Sequence, residues 1–223
     1  MTVDANTTYY LLLADVKGST VGSSTAAMER LEATATQLSV EYSSALVLGL
    51  SLSYGDEVAG LFSRPDPLYS IMRQIRDVLL PDLGVRFVVI RGRIGRPSTD
   101  IRKVGGEVFK RASTAMEKTK RSGRFCYWDV ENATASAILT TLTEMAHAMF
   151  LKLSPYQREI YLGLRGGQSQ TTIAGALGKY KQSVSEAVGR GNIELLIEAE
   201  RLINGLLASQ PWLMDFGRSS NVD

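Results

Sequence analysis

Residues 168–190 read QSQTTIAGALGKYKQSVSEAVGR, and this segment decides how the C-terminal part of the chain folds. Its spacing predicts a helix-turn-helix, two short helices joined by a tight turn. Ala174 falls where the helices cross and only a small side chain fits. Gly178 falls in the turn, which needs a residue that tolerates positive φ. The inward apolar positions are Ile173, Leu177, Val184 and Val188. An ordinary helical hairpin is the alternative interpretation.

Polar and basic side chains occupy the predicted outer surface of this motif. In a helix-turn-helix the second helix enters the major groove of DNA, while neighbouring groups contact phosphates. Ser169 can also cap the first helix. We expect phosphate contacts from Gln168, Ser169, Gln170, Thr171 and Lys179. The side chains expected to face base edges in the major groove are Tyr180, Lys181, Gln182, Ser185 and Glu186. Arg190 lies on the polar face of the same helix and is also expected to contact DNA. One unit contacts few phosphates, so the expected partners are double-stranded DNA and a second copy of the chain.

The composition is typical of a soluble globular protein of one or two domains. The chain has 223 residues, of which 44% are hydrophobic and 22% charged, with one Cys and one His. A single Cys and a single His cannot form a zinc site in one chain, so metal chemistry would use carboxylates, which favour Mg²⁺ or Mn²⁺. The longest apolar run, Tyr9–Ala14, is too short to span a bilayer. We therefore expect a cytoplasmic protein with no membrane partner.

Positive charge gathers in two segments. Residues 101–124 carry a net charge of +6 and residues 150–190 a net charge of +4, whereas residues 191–223 carry −3. The second basic segment contains the predicted DNA-binding motif, which supports that interpretation. The first segment is either a solvated helix face or a phosphate contact.

The first 130 residues alternate strand-like and helix-like patterns. We predict strands over Tyr9–Asp15, Ala45–Ser53, Glu57–Phe62, Val85–Ile94 and Arg124–Trp128. We predict helices from Met28 to Tyr42, over Pro65–Leu80 and over Gly105–Lys120. The order strand–helix–strand–strand–helix–strand, then helix–strand, predicts an α+β fold: a ferredoxin-like core with an extra edge strand.

The chain after Trp128 has only helical patterns, so we place a domain boundary near residue 130. Residues 1–130 form the predicted ferredoxin-like domain, and residues 131–223 form an all-α domain whose helix-turn-helix spans about 154–190. A long last helix is predicted from Lys181 to about Leu207. Its apolar stripe packs either on the same chain or on a second copy.

Two carboxylates are predicted to lie together at one end of the sheet. Asp15 ends the first strand, and Asp56 lies in the turn between the second and third. In a ferredoxin-like sheet these strands are neighbours, so both acids can share one or two divalent ions about 3.5–4 Å apart. The loop after Asp15 leads into a helix N-terminus, which favours phosphate. The alternative is that both acids are only cap and turn residues.

Four segments resemble, in order and spacing, the SatD family of bacterial proteins, which often carry a C-terminal helix-turn-helix. They are YYLLLADVKGST, LSLSYGDEVAGLF, RFVVIRGRIG and VGGEVFKRASTAME. The first two also resemble class III nucleotide cyclases more distantly. The resemblance implies that Asp15 and Asp56 hold Mg²⁺ or Mn²⁺ and that the following loop cradles a nucleotide. The implied nucleotide-binding residues are Val16, Lys17, Gly18, Ser19, Thr20 and Gly55.

The sequence departs from the cyclase pattern at three positions. Leu52 stands where these cyclases have a base-reading Lys. Phe109 and Ser113 stand where a late helix supplies Asn and Arg. Loss of a cationic transition-state group costs about a hundredfold or more in rate. The resemblance therefore implies nucleotide or metal binding more than turnover.

The sequence as a whole predicts a cytoplasmic DNA-binding protein that regulates transcription, with the cyclase-like domain as a sensor or dimerisation module. One alternative is a divalent-metal-dependent nucleotide cyclase or nucleotidyltransferase that uses Asp15 and Asp56. Another is a scaffold in which both domains bind only proteins.

Overall fold

The computed structural model describes residues 3–17, 25–53 and 56–209. The chain divides into two compact units. Among the described residues, the sheet unit comprises those up to Thr140 and those from Asn204 to Ser209, and the helical unit comprises Thr141–Ile203. Within the described ranges, no helix is both long enough and apolar enough to cross a membrane.

The sheet unit has an α+β architecture. Its described strands are β1 (Thr8–Lys17), β2 (Leu46–Ser53), β3 (Glu57–Phe62), β4 (Gly84–Arg93) and β5 (Cys126–Asp129). Its helices are α1 (Thr25–Glu41), α2 (Leu68–Leu79) and α3 (Glu107–Ser122), with a 3₁₀ turn over Ile101–Lys103. The α+β class and the order of these elements along the chain are as the sequence predicted.

The five strands form one mixed sheet in the order β2-β3-β1-β4-β5. β1 is antiparallel to both of its neighbours, β3 and β4, and β5 is parallel to β4. The predicted adjacency of β1 to the β2–β3 hairpin is confirmed. The register places Asp15 of β1 opposite Glu57 of β3 on one side and opposite Arg86 of β4 on the other.

The core of the sheet unit lies between the sheet and its helices. On one face of β1, Leu11 and Leu13 pack in a buried cluster with Val108, Ala112 and Met116 of α3. Side chains alternate along a strand, so Asp15 points to this same face. α3 therefore covers the face of the sheet that carries the predicted functional acid.

A fourth helix, α4 (Ala133–Leu151), begins in the sheet unit. The Trp128 backbone N–H donates to Thr140 Oγ1 at 3.0 Å, which ties the first half of α4 to β5. The Ala135 N–H donates to the Asn132 side chain at 2.9 Å and caps the start of the helix. These contacts explain why the first compact unit extends to Thr140. The domain boundary near residue 130 stays a prediction.

The helical unit contains three short helices in succession, α5 (Pro155–Arg165), α6 (Gln170–Ala176) and α7 (Lys181–Arg190). The last helix, α8, runs over Ile193–Ala208. The prediction of one helix from Lys181 to about Leu207 is wrong, because the backbone turns after Arg190. Asn192 has a left-handed φ of 48°, which interrupts the helix. A Cβ on Gly191 would lie 2.9 Å from Gln157 Nε2, so the break also packs closely on α5.

Candidate functional site

Charged residues lie around Asp15 at one end of the sheet. We call this group the Asp15 cluster: Asp15, Asp56, Glu57, Arg86 and Lys120. The carboxylate directly across the β1–β3 ladder from Asp15 is Glu57. Asp56 lies one residue earlier, and its backbone carbonyl accepts a hydrogen bond from the Val16 N–H at 3.1 Å. The strands thus bring the two predicted acids close together and add a third.

Both carboxylate oxygens of Asp15 are engaged by cations of the chain. Lys120 Nζ lies 2.7 Å from Oδ1, and an Arg86 guanidinium nitrogen lies 3.3 Å from Oδ2. The Asp15 side chain is only 7% exposed, whereas that of Lys120 is 35% exposed. Burying an ionised carboxylate is costly unless it is paired, and these two cations supply the pairing.

The cluster shifts the pKa of two of its members. Burial raises the pKa of the Glu57 carboxyl above its ordinary value; Lys120 lowers it, and Asp15, Asp56 and Glu117 add to the rise. The hydrogen bond to Asp15 raises the pKa of the Lys120 ammonium. A lysine bound to a buried acid stays charged, and a half-buried acid beside other acids loses its proton less readily.

Cations of the chain lie where the predicted metal would bind Asp15. A divalent ion at Asp15 would have to displace both Lys120 and Arg86. In the part of the chain that the structure describes, no three His, Cys, Asp or Glu side chains are grouped to hold a metal ion. Asp15 and Asp56 as ligands of Mg²⁺ or Mn²⁺ therefore stay a prediction.

The expected phosphate cradle is described only at its beginning. Val16 and Lys17 are the last residues of β1. The Val16 N–H is engaged by the Asp56 carbonyl, so it is not free to bind a phosphate oxygen. The other predicted cradle residues, Gly18, Ser19, Thr20 and Gly55, lie outside the described residues.

Sequence reasoning missed three members of the cluster, Glu57, Arg86 and Lys120. Glu57 and Arg86 are directly across from Asp15 in neighbouring strands, so identifying them needs the exact strand register, which hydrophobic periodicity does not give. Lys120 belongs to the basic segment 101–124, for which we expected a solvated face or a phosphate contact. The exposed cations of this segment include Lys110, Lys118, Arg121 and Arg124. Several other cations pair with acids of the same chain. These pairs are Lys120–Asp15 at 2.7 Å, Arg111–Asp129 at 2.5 Å and Arg102–Asp100 at 2.9 Å.

The second candidate surface is formed by α6 and α7. Gly178 has φ +61° in the turn between them, as its position predicted. Ala174, Val184 and Val188 are buried as expected. Leu177 is only half-buried, because α6 ends one residue earlier and Leu177 is its C-cap. The Lys179 N–H donates to the Ala174 carbonyl at 2.9 Å, which closes the turn.

The residues predicted to contact DNA lie mainly on the surface. The exposed ones are Gln168, Ser169, Thr171, Lys179, Tyr180, Lys181, Gln182, Ser185, Glu186 and Arg190, while Gln170 is half-buried. Ser169 Oγ accepts a hydrogen bond from the Thr172 N–H at 3.1 Å, so its hydroxyl caps α6 as predicted. Glu186 lies 3.3 Å from Gln182 and 3.9 Å from Arg190, so these three side chains form one row on α7.

No known family model matches this chain, and no curated protein matches it either. Among solved structures, the chain is similar to the regulator of polyketide synthase expression from Bifidobacterium adolescentis. The two are 9% identical with a TM-score of 0.30, over 89% of this chain and 81% of the other. So distant a likeness supports neither a family nor a function, and the SatD resemblance stays a prediction.

Proposed function

We propose that this chain is a cytoplasmic DNA-binding protein that regulates transcription. α6 and α7 form a helix-turn-helix, and α7 is the helix that enters the major groove of double-stranded DNA. The sheet unit is a ferredoxin-like, nucleotide-cyclase-like domain of the SatD type that acts as a sensor or dimerisation module. The protein works as a homodimer on a palindromic site.

One observation carries this proposal: the left-handed turn at Gly178 joins two helices whose small and branched residues are buried and whose polar residues are exposed. Tyr180 at the start of α7 is 85% exposed, which is unusual for a large aromatic side chain. Lys179 and Lys181 flank it and are also exposed. An exposed helix start with an aromatic ring between two lysines offers both base and phosphate contacts.

The enzymatic alternative has less support. A nucleotide cyclase or nucleotidyltransferase needs the Asp15 carboxylate for a metal, and Lys120 and Arg86 already hold it. The chain also lacks the base-reading Lys at Leu52 and the cationic residue at Ser113. We therefore propose nucleotide or other ligand binding, rather than turnover, for the sheet unit.

The test is DNA selection with the full chain. Genomic fragments bound by the purified protein are sequenced at two salt concentrations, because specific binding survives salt better than nonspecific binding. We expect one enriched palindromic site. The variant Lys181→Ala/Arg190→Ala should lose about thirtyfold or more in affinity for that site, since it removes two groups on the α7 surface.

The matched control removes two positive charges from elsewhere in the helical unit. Lys152 and Arg201 are both exposed, and Lys152→Ala/Arg201→Ala should bind the selected site nearly as well as the natural chain. If the α7 variant binds as tightly as this control, the proposal fails. Circular dichroism of both variants checks that the helices are intact.

A further inference from the structure

A small cavity opens in the sheet unit beside the Asp15 cluster. Its volume is about 170 Å³, and we call it the Glu57 cavity. Its floor comes from the strands, its wall from the loop around the 3₁₀ turn, and its far side from α3. The lining residues are Leu13, Glu57, Ala59, Ile101, Arg102, Val104, Phe109 and Ser113.

The loop that forms the wall is fixed by close backbone contacts. The Gly95 N–H donates to the Gly105 carbonyl at 2.6 Å. A Cβ on Gly106 would lie 2.3 Å from the Gly95 nitrogen, so two glycines bring the end of β4 against the start of α3. Asp100 accepts from the Arg102 backbone N–H at 3.0 Å and caps the 3₁₀ turn. The chain's own backbone contacts therefore hold the wall in place.

The charge of the cavity favours a cation. Arg102 is held by both carboxylate oxygens of Asp100, at 2.9 and 3.0 Å, so its charge is already balanced. The other charged residue of the lining is Glu57. Near Glu57 lie the acids Asp15, Asp56 and Glu117 and the cation Lys120. Lys120 and Arg86 are both bound to Asp15, so four acids, Glu57 included, stand against two cations. A phosphate or carboxylate would enter against this field, whereas a cationic donor would gain from it.

The volume and the apolar lining of the cavity restrict the class of ligand further. Sites for drug-sized ligands measure about 300–1,000 Å³, so a cavity of 170 Å³ takes a much smaller molecule. Five of the eight lining residues are apolar, and Phe109 offers an aromatic ring. The ligand that matches is one planar ring, or a short apolar body, with a charged group that donates N–H hydrogen bonds.

We propose that the Glu57 cavity binds a small organic cation of the amidinium or amine class. The Glu57 carboxylate accepts its N–H groups, the Ser113 hydroxyl lies at the same cavity, and the apolar body packs against Leu13 and Phe109. The cavity thus supplies a ligand class for the sensor role proposed above. Ligand binding itself does not depend on that role; only an effect of the ligand on DNA binding rests on the proposed function.

The test compares three probes of one shape and different charge on the full chain. Benzamidinium is cationic, benzamide neutral and benzoate anionic. Binding is measured by calorimetry and by chemical-shift changes of backbone amides. We expect benzamidinium to bind with a Kd of about 1 mM, as is typical of a single-ring fragment. Benzamide should bind more weakly, benzoate should not bind, and the shifted amides should lie around β3 and the 3₁₀ turn.

Two variants and one control locate the site. Glu57→Gln should weaken benzamidinium about tenfold, because it removes the charged acceptor. Ser113 is exposed at its position on α3, so Ser113→Leu should block the cavity and leave the fold intact. Glu107→Gln removes an exposed acid of α3 outside the cavity and should change nothing.

Three results would overturn the proposal: no binding of benzamidinium, equal binding of benzoate, or benzamidinium binding that neither Glu57→Gln nor Ser113→Leu weakens. DNA affinity measured without any probe is a separate readout. If the chain binds benzamidinium but selects no DNA site, the proposed regulatory function fails and the proposed ligand site stands. If it selects a DNA site but does not bind benzamidinium, the ligand site fails and the regulatory function stands.

Discussion

The ammonium of Lys120 lies 2.7 Å from Asp15 Oδ1, so a lysine of α3 balances the acid that the sequence assigned to a metal. Arg86 lies on the other carboxylate oxygen at 3.3 Å. The charge that a divalent ion would bring to this end of the sheet is thus supplied by two side chains.

This pairing predicts how the protein responds to Mn²⁺. A ligand raises the unfolding temperature only if it binds the native state. Because Lys120 and Arg86 already pair with Asp15, we expect Mn²⁺ to leave the unfolding temperature of the natural chain unchanged. Lys120→Gln should lower stability by about 2 kcal/mol, since it leaves a buried carboxylate with one cation fewer. Mn²⁺ should then recover part of that loss. Lys118→Gln, an exposed lysine of the same helix, is the control. Stabilisation of the natural chain by Mn²⁺ that Asp15→Asn removes would contradict this expectation.

The raised pKa of the Glu57 carboxyl predicts that stability depends on pH. Burial raises the pKa of its carboxyl above 4.5, so the folded state binds this proton more tightly than the unfolded chain does. Its favourable contribution is therefore present below pH 4.5 and is lost as the pH rises through the raised value. Glu57→Gln keeps the neutral form, so it should unfold at higher urea than the natural chain at about pH 7, by less than about 1 kcal/mol given solvent screening. The advantage should disappear below pH 4.5. A constant difference between acidic and neutral pH would contradict this assignment.

Helices and strands could be predicted from the sequence where residues close together along the chain determine them. A short apolar run ending in an acid predicted β1, whose buried residues run from Tyr9 to Val16, and the spacing around Ala174 and Gly178 predicted α6, the turn and α7. These features depend on neighbours within a few residues along the chain, which is the range that periodicity reports.

The partners of Asp15 could not be predicted in the same way. A shift of one residue in the β1–β3 register changes which acid faces Asp15, and the turn sequence drew attention to Asp56 instead of Glu57. The contact with Lys120 spans more than a hundred residues and depends on which face of the sheet α3 covers. The break between α7 and α8 likewise depends on the packing of Gly191 against Gln157, which lies on another helix.

The turn between α6 and α7 offers a matched pair of glycines. Gly178 has φ +61°, whereas Gly175 lies within α6, and a Cβ at either position meets no neighbouring atom. Gly178→Ala should therefore cost about 1–2 kcal/mol purely through backbone strain. Gly175→Ala should gain about 0.5–1 kcal/mol, because alanine favours a helix. Urea denaturation of the two variants checks both signs, and equal effects would contradict a strained turn.

The loop beside the Glu57 cavity offers a second matched pair of glycines, Gly105 and Gly106. A Cβ on Gly106 would lie 2.3 Å from the Gly95 nitrogen, at a φ of +119°, so Gly106→Ala meets both a backbone clash and backbone strain. We expect a loss of about 3 kcal/mol or more. A Cβ on Gly105 meets nothing within 4 Å, so Gly105→Ala should stay within about 0.5 kcal/mol of the natural chain. Thermal unfolding measures both, and a mild effect of Gly106→Ala would show that the loop can move away from β4.

Two tyrosines of the helical unit, the buried Tyr161 and the half-buried Tyr156, test how much one hydrogen bond contributes to stability. The Tyr161 hydroxyl lies 2.8 Å from each carboxylate oxygen of Glu200, and both side chains are buried. Tyr161→Phe removes a donor from a buried acid, so we expect a loss of about 1.5–3 kcal/mol. The Tyr156 hydroxyl is buried without a hydrogen-bond partner among the described residues. Tyr156→Phe should therefore be neutral or slightly stabilising, because the change removes a desolvated group that gains nothing. Urea denaturation of the two variants measures the change in the free energy of unfolding for each. Equal losses would mean that the hydrogen bond from Tyr161 to Glu200 contributes little to stability.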